Sequence, residues 1–119
     1  MDKGNFYRWA DLPQTSMTPQ IRRRLVSGEK VMSVEFTLDK GAIIAEHKHP
    51  HEQITHIISG KIEFMVGGEK FLLEGGDVLH IPSNIPHSAV ALEDTLNIEI
   101  FSPPREDFLS NETPAYMKK

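Results

Sequence analysis

Short segments in which apolar and polar residues alternate, separated by glycine-containing turns, most limit how this chain can fold. In MSVEFTL (32–38) and KIEFMV (61–66) every second side chain is apolar or nearly so, which is the period of a β-strand with one buried face. The turns recur at short intervals, at 28–30, 39–41, 59–61, 66–69 and 74–77. Because Gly67 and Gly68 separate two such runs and both adopt positive φ easily, they predict a two-residue β-hairpin. The pattern predicts an all-β fold, either a sandwich or a barrel of antiparallel strands.

The chain of 119 residues has the length of one domain. We predict a single domain over 1–119, with an N-terminal arm at 1–20, a barrel over about 21–101 and a tail at 102–119. The tail contains Pro104 and Pro114, and we expect a short helical turn around Arg105 to Leu109 followed by a frayed end.

Composition excludes several classes of function. The chain has no cysteine, so it contains neither a thiol nucleophile nor a cysteine zinc site. Its net charge of −4 gives no general attraction to nucleic acid, whose binding depends on phosphate neutralisation. No run of 18 apolar residues and no N-terminal signal peptide is visible. We therefore expect a cytoplasmic protein with neither a nucleic-acid nor a membrane partner.

The N-terminal arm carries an aromatic cluster that bears on assembly. Phe6, Tyr7 and Trp9 lie close together in the sequence, and strand-rich folds expose sheet edges that favour symmetric pairing. We predict a homodimer. The alternative is that these aromatic side chains close the end of their own barrel.

Four of the six histidines fall in EHKHPHEQITH (46–56). His47 and His49 are two residues apart, so on a strand both point to one face. Gln53 follows after Pro50, and His87 supplies a third imidazole after a bend between Pro82 and Pro86. We interpret His47, His49, Gln53 and His87 as ligands of a metal ion. Glu52 is the rival for the position of Gln53, and we interpret His51, His56 and His80 as structural.

These residues carry a resemblance to a known family. Gly41-(five residues)-His47-Lys-His49-(three residues)-Gln53-(six residues)-Gly60 resembles the first cupin motif, and Gly76-(five residues)-Pro82-(four residues)-His87 resembles the second. The resemblance implies a small jelly-roll-like antiparallel β-barrel that holds one divalent metal at the four ligands. The chain departs from the family pattern twice, with Gln53 where glutamate is usual and Ala91 where asparagine often stands.

The replacement of glutamate by Gln53 changes the charge of the predicted site. Three neutral imidazoles and an amide leave a divalent ion at +2, and an uncompensated +2 charge in a barrel attracts an anion. Imidazole and amide ligands suit nickel, zinc, manganese, iron or cobalt, so the ligand types do not select one metal.

The segment NIEIFSPPREDF (97–108) extends the resemblance. Together with HPHEQITHIISGKIEFMVGGE it resembles the small single-domain cupins of pectin degradation, which open the ring of 4,5-unsaturated monouronates. That resemblance implies Glu99, Phe101 and Arg105 as catalytic residues, although the group usually has aspartate in place of Glu99. Our hypothesis is metal-dependent ring opening and ketonisation of an unsaturated uronate, with Glu99 moving a proton, Phe101 providing an apolar wall and Arg105 pairing with the substrate carboxylate. Arg22 and Arg24 are outside candidates for that pairing.

Two other functions stay open at this stage. A cupin dioxygenase is one, although Gln53 removes the carboxylate of a two-histidine, one-carboxylate iron site. The other is a non-catalytic module that binds a sugar or an acid, because a fold alone does not determine function.

Overall fold

Antiparallel strands account for most of the secondary structure. The computed structural model describes residues 3–111 and 113–117. The strands are β1 (Thr15–Thr18), β2 (Ile21–Ser27), β3 (Met32–Leu38), β4 (Ile43–His47), β5 (Glu52–Ser59), β6 (Lys61–Val66), β7 (Glu69–Glu74), β8 (Val78–Ile81), β9 (His87–Ala91) and β10 (Thr95–Ser102). One α-helix, α1 (Glu106–Leu109), and two 3-10 turns, Trp9–Asp11 and Ala115–Met117, complete the described elements. The predicted all-β class is confirmed.

The strands form two antiparallel sheets with one apolar cluster of buried residues. The six-stranded sheet has the order β1-β2-β3-β10-β5-β8 and the four-stranded sheet the order β4-β9-β6-β7. The apolar residues whose alternation predicted the strands are the ones that fill the core. On β3 these are Met32, Val34, Phe36 and Leu38, which are all buried. The arrangement is compatible with a jelly roll.

Two turns show why glycine is needed where the sequence has it. Val66 pairs with Glu69 across the β6–β7 hairpin, and Gly67 and Gly68 have φ of 56° and 85°, so the predicted two-residue turn is confirmed. Gly60 has a φ of 95°, and a Cβ there would collide with the backbone of Asp94.

The N-terminal arm joins the sheet before the predicted boundary at residue 21. Thr15–Thr18 pairs with β2 as the edge strand β1. The side chains of Phe6 and Tyr7 are 76% and 51% exposed, so these two residues do not cover the end of their own barrel. Trp9 is half-buried, and its carbonyl accepts a hydrogen bond from Arg24.

The tail is ordered further than the sequence suggested. Helix α1 lies where the helical turn was predicted. Beyond it, Pro114 and Met117 are buried and the 3-10 turn packs against β4, so residues 113–117 do not fray. Within the described ranges, no helix combines the length and apolar character needed to cross a membrane.

Candidate metal centre and active-site cavity

Three of the predicted ligands meet at one point between the sheets. His47 ends β4 and His87 begins β9, and the two are paired across the β4–β9 ladder of the four-stranded sheet. His49 joins them, so that one ligand atom from each of the three imidazoles lies within 4.8 Å of the others. His47 and His87 are forty residues apart in the sequence, and the antiparallel pairing of β4 with β9 brings them side by side.

His49 does not reach this cluster by strand alternation, which was the reason for predicting it. Strand β4 ends at His47, and His49 lies in the following segment, where its carbonyl accepts a hydrogen bond from the amide of Asn84. The residue before a proline is restricted to extended conformations, and Pro50 follows directly. The His47 and His49 rings nevertheless lie 5.6 Å apart between centroids.

Each of the three imidazoles is tied to the backbone through Nδ1. The acceptors are the carbonyls of Ala45, His51 and Ile85, at 2.9, 3.0 and 2.8 Å from His47, His49 and His87 respectively. A proton held on Nδ1 by a carbonyl leaves Nε2 as the lone-pair nitrogen of a neutral ring. Nε2 of His49 and of His87 is buried and has no hydrogen-bond partner among residues 3–111 and 113–117. These atoms fit a metal ion, which would satisfy them.

Burial keeps the three rings neutral, as metal ligation requires. It lowers the pKa of His47 to about 3 and of His49 to about 4, with the neighbouring imidazoles and the Arg105 guanidinium acting in the same direction. Burial also lowers the pKa of His87.

Of the two candidates for the fourth ligand, Gln53 lies in the cavity and Glu52 does not. The Gln53 side chain is buried on β5 and lines the cavity. Its Nε2 donates to Thr55 Oγ1 at 2.9 Å, which leaves the amide oxygen Oε1 as the atom that could bind a metal ion. Glu52 is exposed, and its Oε2 lies 2.7 Å from Nε2 of His80.

The remaining histidines stand outside the cluster. His51 is buried, and its Nε2 contacts Oε1 of Glu106 at 3.0 Å. His56 is half-buried on the face of β5 opposite Gln53. His80 is exposed beside Glu52. This placement agrees with their interpretation as structural residues.

The cluster opens into a small cavity lined by side chains of both sheets and of the tail. Its polar lining includes His47, His87, Gln53, Glu99 and Arg105. Its apolar lining consists of Phe36, Ile44, Phe64, Ala89, Phe108 and Met117. The cavity therefore combines a cluster of neutral imidazoles, the carboxyl group of Glu99 and the guanidinium cation of Arg105 within largely apolar walls.

Glu99 is a buried carboxyl in this apolar setting. It lies on β10 between Val34 of β3 and Thr55 of β5, and it is 6% exposed. Burial raises the pKa of Glu99 to about 7, against the opposing pull of the Arg105 guanidinium. A carboxyl with a pKa close to neutrality is suited to both accepting and donating a proton.

The pKa of Glu99 also predicts how the metal-free protein responds to pH. Between its ordinary pKa of 4.5 and the raised value of about 7, the folded protein keeps a proton that the unfolded chain releases, so the free energy of unfolding falls as pH rises. The loss is on the order of 3 kcal/mol above the raised pKa. We expect Glu99→Gln to be more stable than the wild type at about pH 8.5, and by much less at about pH 5, in denaturant titrations after chelation. An advantage that does not change with pH would contradict the raised pKa.

Phe101 and Arg105 take positions that differ from the expected ones. Phe101 is fully buried and does not line the cavity; its ring packs edge-on against His49 and Phe108. Arg105 lines the cavity but already uses the Nε–Nη2 edge of its guanidinium, with Nη2 2.8 Å and Nε 3.2 Å from the Asp107 carboxylate. That edge therefore cannot form a two-pronged contact with a substrate. Nη1 is the guanidinium nitrogen that Asp107 leaves available to a substrate.

Arg22 and Arg24 lie on the other face of β2, away from the cavity. Arg22 pairs with Asp39 at 2.9 Å, and Arg24 contacts Glu35 at 3.6 Å. The intervening Arg23 is buried. Arg22 and Arg24 are therefore not placed to bind a substrate carboxylate in this cavity.

Sequence reasoning missed Tyr116, which lies in the tail that was expected to fray. Its ring stacks on His47 with centroids 3.6 Å apart and planes 6° from parallel. Its hydroxyl accepts a hydrogen bond from Arg105 Nη2 at 3.0 Å. The signal in the sequence was the pair Tyr116-Met117, the two large apolar residues of the last ten, 110–119.

The family profile described as the cupin domain matches residues 34–102, which include all four predicted metal ligands. The chain belongs to the cupin family. It is 35% identical over 102 residues to the pectin degradation protein KdgF of Dickeya dadantii, covering 83% of this chain and 93% of that protein. A segment of 42 residues is 45% identical to quercetin 2,3-dioxygenase of Bacillus subtilis, but it covers only 12% of that enzyme.

Solved cupin structures superpose closely on this fold. The structure of KdgF from Halomonas sp. has a TM-score of 0.85 and 35% identity, covering 89% of this chain and 99% of that one. An RmlC-like cupin from Shewanella frigidimarina has a TM-score of 0.84 and 28% identity, covering 89% of this chain and 96% of that one. The similarity therefore extends well beyond the two motifs.

Proposed function

We propose that this cupin is a metal-dependent enzyme of pectin or polyuronate breakdown that opens and ketonises the ring of 4,5-unsaturated uronates. The observation that carries the proposal is the cavity in which the three-histidine cluster, the buried Glu99 and Arg105 meet. Similarity to KdgF over most of both chains supports it. The substrate is a small anionic sugar acid, and we further propose a cytoplasmic homodimer.

His47, His49, His87 and Gln53 would hold one divalent ion, through three Nε2 atoms and one Oε1 atom. When bound, the ion supplies Lewis-acid polarisation of substrate oxygens in a low-dielectric cavity. The backbone carbonyls behind each Nδ1 orient the rings before the ion arrives, which is the usual role of residues behind metal ligands. The ligand types leave nickel, zinc, manganese, iron and cobalt as candidates.

Positive charge at the site selects an anionic substrate. Neutral imidazoles and the Gln53 amide do not offset the charge of a divalent ion, and Arg105 adds a further charge, although Asp107 compensates it in part. Nη1 of Arg105 is the guanidinium nitrogen left for the substrate carboxylate, which makes the contact charge-assisted. Phe101 would hold Arg105 in place rather than contact the substrate. Its ring packs beneath Arg105, and the distance from Arg105 Cζ to the centroid of the Phe101 ring is 5.2 Å.

Glu99 would move the proton that ring opening requires. As the bond between the anomeric carbon and the ring oxygen breaks, the anomeric hydroxyl loses its proton to Glu99 and becomes the carbonyl of an aldehyde. The ring oxygen stays on the former enol-ether carbon as an enolate. Ketonisation then adds one proton to the neighbouring alkene carbon, which the protonated Glu99 can return. The reaction is an isomerisation, with no net gain or loss of protons.

The test of this function is consumption of an unsaturated monouronate by the purified, metal-loaded protein, followed through the absorbance of its conjugated enol ether. We expect loss of absorbance faster than the spontaneous rate, and return to that rate after chelation. A bound but unchanged uronate would instead indicate a binding module. Oxygen uptake during turnover would indicate a dioxygenase, the activity named for the relative that shares the 42-residue segment.

The neutral ligand Gln53 gives a charge-based prediction. Glu in this position would add a negative charge beside the ion, so we expect Gln53→Glu to bind the metal about tenfold or more tightly. It should also bind the uronate more weakly, since the site would lose one positive charge. Chelator competition measures the first effect and KM the second. Unchanged metal affinity would show that the side chain at 53 does not reach the ion.

A further inference from the structure

Tyr116 joins two parts of the site that the proposed reaction uses. Its ring stacks on His47 and its hydroxyl contacts Arg105, and the side chain lines the cavity. Buried Pro114 and Met117 flank it, and the amide of Met117 donates to the carbonyl of Pro114 at 3.0 Å. Anchors on both sides hold the ring in place.

The direction of the hydrogen bond leaves the phenol proton free. A guanidinium only donates, so the Tyr116 oxygen accepts from Arg105, and its own proton is available for another acceptor. An ordinary tyrosine has a pKa of about 10, so the hydroxyl carries this proton at neutral pH.

The contacts of Arg105 show what the free proton is placed to bind. Asp107 and Tyr116 together use Nε and Nη2 of Arg105. Nη1 is therefore the one guanidinium nitrogen left to donate to a substrate. A carboxylate has two oxygens and is bound best by two donors. We infer that Tyr116 is a substrate-contacting residue whose hydroxyl donates to one carboxylate oxygen of the uronate while Arg105 Nη1 donates to the other. This inference rests on the proposed function.

The ring and the hydroxyl of Tyr116 are separable by substitution. Tyr116→Phe keeps the stack on His47 and removes the hydroxyl, which is both the donor to the substrate and the acceptor of the Arg105 hydrogen bond, whereas Tyr116→Ala removes the ring as well. Tyr7 is the other tyrosine of the chain and is 51% exposed, so Tyr7→Phe is the matched control for the loss of a phenol hydroxyl.

The experiment compares these variants with the wild type as metal-loaded enzymes. For Tyr116→Phe we expect KM for the unsaturated uronate to rise about tenfold, with kcat within about threefold of the wild type, because a hydrogen bond to a charged group is lost. The inhibition constant of galacturonate, a saturated uronate, should rise by a similar factor, and that of galactose, which lacks the carboxylate, should not. Metal affinity from chelator competition should be unchanged in Tyr116→Phe and weaker in Tyr116→Ala.

Two different failures are distinguishable. If the wild type consumes the uronate and Tyr116→Phe has KM and galacturonate inhibition within about twofold of it, the inference is overturned while the proposed function stands. Equal loss of metal affinity in both Tyr116 variants would also overturn it, since the hydroxyl would then act through the metal centre. If the wild type does not consume the uronate, the proposed function fails, and the inference fails with it.

Discussion

Replacing His87 by alanine is expected to leave the protein nearly free of metal and to reduce uronate consumption to near the spontaneous rate. The variant removes one of three converging imidazoles and one of the buried Nε2 atoms that have no hydrogen-bond partner in the part of the chain that the structure describes. Loss of residues that merely orient ligands typically lowers metal affinity about 10- to 100-fold, so loss of a ligand should cost at least about 100-fold. Metal content after dialysis and the enol absorbance measure the two effects.

His80→Ala is the matched control for that variant. His80 is exposed and pairs with Glu52, so its removal should change neither metal content nor rate. Because His87 is 3% exposed, circular dichroism and the denaturation midpoint should accompany the measurement. A folded His87→Ala protein that retains its metal would remove this residue from the ligand set.

Glu99→Gln is expected to lower kcat by about 10²- to 10⁴-fold, the range that a positioned acid or base contributes. The amide has nearly the shape of the carboxyl, so the fold and the histidine cluster should be unaffected. Metal content should equal that of the wild type, which separates this variant from His87→Ala. Single-turnover measurements with the unsaturated uronate test whether the loss is in the chemical step.

Glu35→Gln provides the control for removing a carboxylate from the same sheet. Glu35 lies on β3 opposite Ile98 of β10, on the outer face, where it contacts Arg24. Its substitution should leave kcat within about twofold, since isolated surface ion pairs contribute little. If Glu99→Gln also stays near the wild-type rate, Glu99 has no part in proton transfer.

The strands could be predicted because they depend on a local pattern, and the histidine cluster could be predicted because it matches the two cupin motifs. A two-residue period determines which side chains enter the core of a sheet, and it correctly distinguished Gln53 from His56 on β5. The same period put Glu99 and Phe101 on one face of β10, which is the inner face in the structure. The resemblance to the two cupin motifs implied that His47 and His87 meet, and they do so across the antiparallel β4–β9 ladder.

The local period was insufficient where the chain leaves the sheet. His49 was predicted on a strand, but β4 ends at His47, and the contact with Asn84 places the following segment. The conformation of residues outside a ladder depends on hydrogen bonds to distant backbone groups, and no periodicity in the sequence reports those bonds.

How the cavity is closed became visible in the folded structure alone. The sequence predicted the antiparallel strands and their alternating side chains, and its cupin motifs implied the meeting of the three imidazoles. It did not determine that Asp107 would use one edge of Arg105, or that Tyr116 would stack on His47. The Tyr116 contact arises because the tail folds back over β4 and buries Pro114 and Met117. That burial is gained only after the sheets exist, so short-range patterns in the tail do not predict it.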